Sequence, residues 1–520
     1  MRSSGMVNAF NKLPEAKIPR SSFNRSHGHK TCMDAGKLIP VYVDEILPGD
    51  TFNVKASMFA RMVTPIVPIM DNMYLDVWFF FVPNRLVWVH WNRFCGEQTN
   101  PGDSTDYTIP QCVGFDAASS ASKEFMDYMG IPTNQVTFNP LFSVNTLPFR
   151  GYNLIWNDWF RDENLQTRRG VNTDGGPDNT SGFAIQNVGR KHDYFSSCLP
   201  WPQKGPGVEI PIGAIVSNGV DVEFDAGNGS GPIRTSGSQP FPIVKETGPA
   251  GNNLVFGDES GLEVDQSTAG TINSLRTAYQ IQRLLERDAR GGTRYTELVR
   301  SHFGVTSPDA RLQRSEFLGG GRIPVNIHQV PQTSQTGTTP QGNLAAYGVV
   351  AGSAPGFVKS FTEHGFLFCL AAVRADITYQ QGLDRKWTRK TRYDHYWPAL
   401  AFLGEQAVLN KEIYVQGLGF GGVDDEVFGY QERWAEYRMA QSRTSREMSS
   451  RHTLSLDYWH LGEEYTALPT LGATWIQHNP PVDRVSAVPS QPHFMLDAWF
   501  DIKAARAIPV FSVPGMSDHF

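Results

Sequence analysis

Apolar positions along the chain follow two rhythms, one strand-like and one helical. LIPVYVDEIL (38–47), the turn residues Pro48-Gly49-Asp50 and then TFNVKASMFARMV (51–63) predict two strands joined at a hairpin or sheet corner. MYLDVWFFFV (73–82) is apolar almost throughout and closes on Pro83-Asn84. This predicts a strand buried on both faces, in the middle of a sandwich or under a covering layer. GFLFCLAAVRADITY (365–379) has the same character, and TLSLDYWHLG (453–462) and HFMLDAWFDIKAARAIPVFSVPG (493–515) complete the strand set. Helical spacing is confined to a few segments. After Pro148, Tyr152, Ile155, Trp156, Trp159 and Phe160 fall on one aromatic helix face, a pattern more common in cores and subunit interfaces than in ligand pockets. Leu275, Ala278, Ile281 and Leu285 predict a helix ended by Gly291-Gly292, followed by a short one over Tyr295–Phe303 that stops at Gly304. VFGYQERWAEYRMAQSR (427–443) reads as helix or turn, with Tyr430, Trp434 and Tyr437 on a common face.

Composition strengthens the β reading. With 49 Gly, 34 Pro, 61 aromatics and only 19% charged residues in 520, short strands and long connections are favoured over helix, and the length calls for a large insertion or a second domain. The five cysteines (32, 95, 112, 198, 369) are dispersed and odd in number. They read as isolated, mostly buried thiols in a reducing compartment. No secretory leader is visible, and the longest apolar run, 366–373, falls far short of the roughly 20 residues that span a bilayer. A soluble, cytoplasmically made protein is expected.

The net charge of −6 hides a strong asymmetry. Residues 1–37 carry seven basic residues against two acids, few apolar residues and no sustained period, so a poorly ordered cationic arm is expected. Such arms neutralise phosphates, which makes Arg2, Lys12, Lys17, Arg20, Arg25 and Lys30 candidates to face DNA; the alternative is a strap on a neighbouring subunit. Residues 205–270 hold 13 glycines, three aromatics and two bases against nine acids, and read as an exposed insertion with short strands in VDVEF and IVKE. Residues 271–322 hold nine arginines, no lysine and five acids. Arginine forks of this density either brace carboxylates and carbonyls between packed elements or contact nucleic acid.

The run ERDARGGTRYTELVRSHFGVTSPDARLQRSEFLGG (286–320), with DYFSSCLPWPQKG (193–205) and FGYQERWAEYR (428–438), closely resembles the major capsid proteins of gokushoviruses, small single-stranded DNA bacteriophages of the microvirus family. The resemblance runs from Lys37 to the C terminus and fades over 205–270. It implies a mainly β fold: an eight-stranded antiparallel jelly-roll sandwich with long inter-strand loops, a few helices and a large surface insertion. The implied organisation is a basic arm (1–37), a first part of the jelly roll (38–204), a protrusion near the threefold axes (205–270), and an Arg-rich helical segment with the second part (271–520). The resemblance also implies a T=1 icosahedral shell around circular single-stranded DNA, assembled in the host bacterial cytoplasm, with transient scaffolding and pilot partners and no membrane insertion. Host attachment through the protrusion would make Asp221, Glu223, Asp225 and Arg234 receptor-binding candidates. Trp156, Trp159, Phe160, Arg283, Arg287, Arg290, Arg294 and Trp434 are the expected subunit-interface residues.

Catalytic and metal signatures are weak. No G-x-x-x-x-G-K-[ST], H-E-x-x-H or G-x-S-x-G occurs, and Gly319-Gly320-Gly321-Arg322 reads as a flexible turn. His27 and His29 have no nearby third ligand. Asp424, Asp425 and Glu426 form a hard-oxygen cluster of the kind that holds Ca²⁺, although acids after a glycine turn more often start a helix. Asp457, Glu463 and Glu464 near Trp459 and His460 carry the rival reading, a β-sandwich carbohydrate-active enzyme, since acid/base hydrolysis needs two facing carboxylates. A surface adhesin is a third possibility. The expected function is binding and assembly without catalysis, and no cofactor is expected.

Overall fold

The computed structural model describes residues 19–133, 137–208, 271–305, 313–338, 340–417 and 422–511, together with the backbone of four short strands at 215–217, 223–225, 230–232 and 262–264. The chain divides into two compact units, 1–200 with 306–520, and 201–305.

The larger unit is built on two antiparallel sheets. Its principal strands are β1 (Ser21–Asn24), β2 (His27–Met33), β3 (Lys37–Ile46), β4 (Thr51–Met62), β5 (Met73–Pro83), β6 (Glu316–Pro324), β7 (Asn326–Pro331), β8 (Leu344–Ser360), β9 (Gly365–Ala375) and β10 (Phe494–Arg506). One sheet runs β1-β10-β4-β8-β7, with β2 also paired to β10, and the other runs β6-β5-β9-β3 and ends on the two-residue strand Gln186–Asn187. Neighbours in space are distant in sequence. β10 lies beside β4 with Phe494 opposite Met62 and Ala505 opposite Thr51, so the last strand closes on one of the first.

Period-two alternation orients both sheets. In β4, Phe52, Val54, Ala56, Met58, Ala60 and Met62 point inward, while Asn53, Lys55, Ser57, Phe59 and Arg61 face solvent. β10 repeats this with Phe494, Leu496, Ala498, Phe500, Ile502 and Ala504 inside. These residues share one core with Leu75, Val77, Phe79 and Phe81 of β5 and Leu367, Cys369, Ala371 and Val373 of β9, so the sheets pack face to face. The opposite faces of β5 and β9 carry Phe80, Val82, Phe366, Phe368, Leu370 and Ala372, and these enter a second core. Helices α1 (Ser120–Tyr128) and α2 (Leu147–Ile155) help to cover it, through Phe125, Met126, Phe149, Tyr152 and Ile155. The two-sided strands therefore lie under a covering layer. α2 approaches so closely that a Cβ on Gly151 would meet the Phe368 ring at 2.9 Å.

Several local expectations are corrected. TLSLDYWHLG is not a strand. Asp457 instead pairs with Arg484 at 3.7 Å and the Leu461 N–H donates to Asp71, so side chains pin the segment as a loop. The glycines 319–321 form no flexible turn. They lie in β6, where a Cβ on Gly320 would come within 2.4 Å of the Val77 carbonyl and one on Gly321 within 2.2 Å of the Pro355 ring. VFGYQERWAEYR opens as a strand, Val427–Glu432, and turns sharply at Trp434 in the left-handed region (φ 71). The arm expected over 1–37 is ordered from Ser21, because β1 and β2 add to the β10 edge.

In the smaller unit, α3 (Ile272–Arg290) and α4 (Tyr295–Phe303) have the expected stops, with Gly292 at φ +102 and Gly304 at φ +69. Ala278 and Ala289 are the buried positions of α3, whereas Ile281 is exposed. His302 Nε2 lies 2.7 Å from Asp288 Oδ1 and ties the two helices together. Of the two strands expected in 205–270, VDVEF overlaps the strand Glu223–Asp225, which pairs with Ser230–Pro232; a further pair, Ile215–Ser217 with Leu262–Val264, was not expected. IVKE lies outside the described residues.

Candidate functional site

The aromatic face after Pro148 is the lid of the second core. α2 continues into one turn of π-helix, Trp156–Phe160. Trp156 is 3% exposed and donates through Nε1 to the Asn187 carbonyl at 3.0 Å. The Phe160 ring packs edge-on against Trp78 with centroids 5.0 Å apart. Trp159, 38% exposed, donates to Ser315 and lies under the Arg314 guanidinium at 4.2 Å. The interface assignment of Trp156 is therefore corrected: it is spent on the subunit's own interior, because the apolar outer face of β5 and β9 needs a cover, while Phe160 packs against the same core and stays partly exposed.

The candidate DNA-facing residues divide. Arg2, Lys12 and Lys17 lie outside the described residues. Arg20 donates to Thr51 Oγ1 at 3.3 Å, and Lys30 lies 3.6 Å from Asp497. Arg25 grips Asp44 with both terminal nitrogens, and the Tyr42 hydroxyl donates to the same carboxylate at 2.7 Å. The fork of Arg25 is thus occupied by a carboxylate of the same subunit, which makes it the least suited of these residues to a phosphate. Arg283, Arg287 and Arg290 lie on the exposed surface of α3, and Arg294 pairs with Glu297 at 3.6 Å at the start of α4. Among the receptor-binding candidates, Glu223 and Asp225 lie in a described strand, while Asp221 and Arg234 fall outside the described residues.

Arg150 and Arg374 brace the fold from outside the Arg-rich segment and were not legible in the sequence, whereas Arg322 belongs to that segment and braces a carboxylate as its composition suggested. Arg150, wholly buried, donates to Asp178 through Nε at 2.6 Å and Nη2 at 2.9 Å, and also to the carbonyls of Val87 and Asp174 at 3.0 Å. Thr146 Oγ1 adds a bond to Asp178 at 2.7 Å. Burial opposes ionisation of Asp178, but the Arg150 and Thr146 hydrogen bonds outweigh it and hold the carboxyl below its ordinary pKa. On the two-sheet body, Arg322 and Arg374 converge on buried Asp76, at 2.7 and 2.6 Å. The DYFSSCLPWPQKG segment is anchored the same way. Asp193 accepts from the backbone of Phe195 and Ser196 and from the Tyr379 hydroxyl at 2.8 Å, while Tyr194 donates to Glu412 at 2.9 Å.

The carboxylates of the enzyme reading do not face one another as a pair. Glu463 is held by Arg190 at 2.6 Å and by the Tyr465 hydroxyl, Glu464 by Arg451 at 3.0 Å, and Asp457 by Arg484. His460 accepts from Gly462 N–H at Nδ1 and contacts the Met448 carbonyl through Nε2. Asp424 accepts from the backbone N–H groups of Gln416 and Gly417 at 2.9 and 2.8 Å, and Asp425 pairs with Lys411. Among the described residues, no three His, Cys, Asp or Glu side chains form a group suited to a metal ion. Cys32 and Cys95 are exposed, contrary to the expectation of buried thiols, while Cys112, Cys198 and Cys369 are buried; burial pushes the Cys112 thiol up to about 12. No described helix is long and apolar enough to cross a membrane.

The remaining expected interface residue, Trp434, is 3% exposed, with its Nε1 donating to the Leu400 carbonyl at 2.8 Å. It is corrected to an interior position. Around it, however, lies an aromatic surface. Tyr396 packs edge-on against Trp434 at 5.6 Å, Tyr437 lies 6.1 Å from Trp434, and Arg392 covers the face of Trp397 at 5.3 Å. Its sequence signal was the interleaving of bases and aromatics in RKWTRKTRYDHYW (385–397), which carries no helix or strand period.

Comparison with known proteins gives a consistent result. Residues 11–516 match the family described as "Capsid protein (F protein)". The chain is 44% identical to the capsid protein VP1 of Bdellovibrio phage phiMH2K, with 98% of each chain covered. It is 40% identical to that of Chlamydia phage 1, over 99% of this chain and 98% of the relative. With the VP1 of Spiroplasma virus 4 the identity is 36%, again over 98% of each.

The buried Arg150–Asp178 pair generates a pH-dependent prediction. Asp178→Asn takes away the buried carboxylate of Arg150 and leaves it only the exposed Asp174 carboxylate at 3.4 Å, and should cost about 3–5 kcal/mol at neutral pH. Because the folded-state pKa of Asp178 is depressed, its contribution is complete above the unfolded-state value near about 4 and is lost as pH falls through the folded value. Urea unfolding of wild type and variant should therefore give a stability gap that is wide at pH 7 and narrows below about pH 4.

Proposed function

The chain belongs to the F-protein family of phage capsid proteins, and from that premise we propose that it builds a T=1 icosahedral shell around a circular single-stranded DNA genome, with the 205–270 segment forming a protrusion that attaches to the host. As a major capsid protein its role is to assemble with copies of itself into the virion. The observation that carries the reading is the relationship to VP1 capsid proteins over nearly the whole chain, spanning both units. Strand order supports a jelly roll: β3 to β10 make eight strands in two packed sheets with sequence-distant neighbours, as Greek-key winding produces, and β1 and β2 are additions at one edge. The enzyme reading gains no support, since each carboxylate it invoked has a separate structural partner. Assembly in the host cytoplasm, and transient scaffolding and pilot partners, belong to the same proposal.

DNA contact is assigned to the part of the arm ahead of β1, because Arg25 is committed to Asp44 and Lys30 lies beside Asp497 in the sheet. The acid-rich 205–270 segment is suited to the outside of the particle, away from the genome, because like charge disfavours proximity to phosphates.

Three experiments test this. Light scattering and negative-stain imaging of the protein, expressed alone and with its phage partners, should show closed uniform shells; a monomer under every condition would refute the shell. Deleting 1–18 removes Arg2, Lys12 and Lys17 but keeps β1 and β2, so particles should form with reduced DNA content. Wild-type DNA content would remove the arm from the account. Replacing 210–266 with a short Gly/Ser linker should abolish adsorption to host cells by intact particles, and unchanged adsorption would exclude it as the receptor-binding element.

A further inference from the structure

The two outer faces of the sandwich are not alike. That of β5 and β9 lies under α1, α2 and the π-turn, whereas that of β4, β8 and β10 meets solvent. A solvated sheet face is ordinarily polar, but this one carries large rings. Phe59 of β4 is 40% exposed, Tyr347 of β8 49% and Trp499 of β10 54%. Strand register sets them in an oblique row. Trp499 lies opposite Ser57 and Phe59 opposite Ala351, while Tyr347 lies opposite His328 of β7, and their rings stack at 5.0 Å. Phe59 and Trp499 flank an open cleft of about 460 Å³, whose lining also includes Gly28, Ser57, Gly352 and Ser353. Small residues there leave room for a planar ring beside the aromatic ones.

Charge on the same face indicates the occupant. Lys30 is matched by Asp497 at 3.6 Å, and Asp501 accepts from Ser26 at 3.1 Å. The exposed Lys55, Arg61 and Lys503 make no ion pair among the described residues, and Arg61 instead lies over the Phe59 ring at 5.6 Å. Three such cations against the one carboxylate of Asp501 suit a polyanion, whereas a dry protein contact would have to bury them at a cost. Rings alternating with cations match a single nucleic-acid strand, in which bases alternate with phosphates. The cationic arm also enters at this sheet. Asn24 of β1 lies opposite Lys503, and Arg20 donates to Thr51 of β4, so DNA held ahead of β1 is delivered to this face.

We propose that the solvent face of β10, β4 and β8 is a platform for single-stranded DNA, with a base stacked in the cleft between Trp499 and Phe59 and phosphates met by Lys55, Arg61 and Lys503. The inference rests on the genome-packaging reading and goes beyond the arm. It adds a preformed site on the fold and makes this face the inner wall of the shell. Aromatic residues on adjacent strands of an open sheet stack unpaired bases, and every base offers a π-face, so the site takes single strands with little regard to sequence.

Fluorescence anisotropy of a labelled oligo-dT with the full chain reads the site. Trp499→Ala and Phe59→Ala should each weaken binding at least about fivefold, equivalent to about 1 kcal/mol, with unchanged salt dependence because neither ring carries charge. Lys55→Gln/Arg61→Gln should instead flatten the slope of log K against log salt by about 1.4, two phosphates at about 0.7 each. These side chains are exposed, so circular dichroism and thermal unfolding should match wild type. Independently of any variant, photocrosslinking of particles whose genome carries bromodeoxyuridine should attach DNA to the peptides of Trp499 or Phe59, which identifies the genome as the ligand. Variants with wild-type affinity and slope, or crosslinks absent from both peptides, would overturn the platform while leaving packaging by the arm standing. Lost shell assembly with unchanged oligonucleotide affinity would assign the face to a protein contact and equally overturn it. Wild type that bound no oligonucleotide and formed particles without DNA would strike the packaging reading, and this inference with it.

Discussion

The adjacent strands β5 and β9 are apolar on both faces and must be covered twice. One cover is the sheet of β4, β8 and β10, whose alternation presents a single apolar face and leaves the other to solvent. The other is the layer of α1, α2 and the π-turn at Trp156–Phe160. Each phenylalanine of β5 and β9 removed from water contributes about 1.5–3 kcal/mol, and the two cores share the same backbone, so neither cover can loosen without exposing part of both. This double demand explains why the aromatic helix face serves the subunit's own interior.

Polar chemistry in the subunit follows from that burial. Connections that cross the covering layer carry charges into low-dielectric surroundings, where an unpaired charge is expensive, and each is met by a built partner. Asp76 of β5 is met within its own sheet by Arg322 of β6 and Arg374 of β9, whereas Arg150 with Asp178 and Arg190 with Glu463 tie down connecting segments. Their role is to fix long loops on the sandwich. Such fixation suits a protein that must present the same surface in every copy, since closed shells form only when repeated contacts have one geometry.

Strands with a clean period, β4 and β10, and the continuous apolar runs of β5 and β9 were legible in the sequence, and so were the glycine stops of α3 and α4. Elements whose form is set by distant partners were not. TLSLDYWHLG alternates like a strand, but Arg484 and Asp71 hold it as a loop. Gly319–Gly321 looks like a turn until the Val77 carbonyl of β5 and the Pro355 ring of β8 are seen to leave no room for a Cβ at Gly320 and Gly321. Arg25 reads as a free cation because Asp44 lies on another strand, and Arg150 and Asp178 are separated by 28 residues with no period linking them. Of the expected contact residues, Trp156, Phe160 and Trp434 are interior or half-buried within the subunit; sequence spacing identifies an aromatic face but does not reveal which surface covers it.

What the subunit leaves uncovered then bears on assembly. The two-sheet body satisfies its own core, whereas the aromatic rings at 393–403 and Tyr437 stay partly or wholly exposed on the subunit. A cryo-EM reconstruction of assembled particles measures this most directly. The account predicts a closed icosahedral shell in which each subunit keeps its two packed sheets. An assembly lacking closed symmetry, or subunits without the two packed sheets, would contradict it.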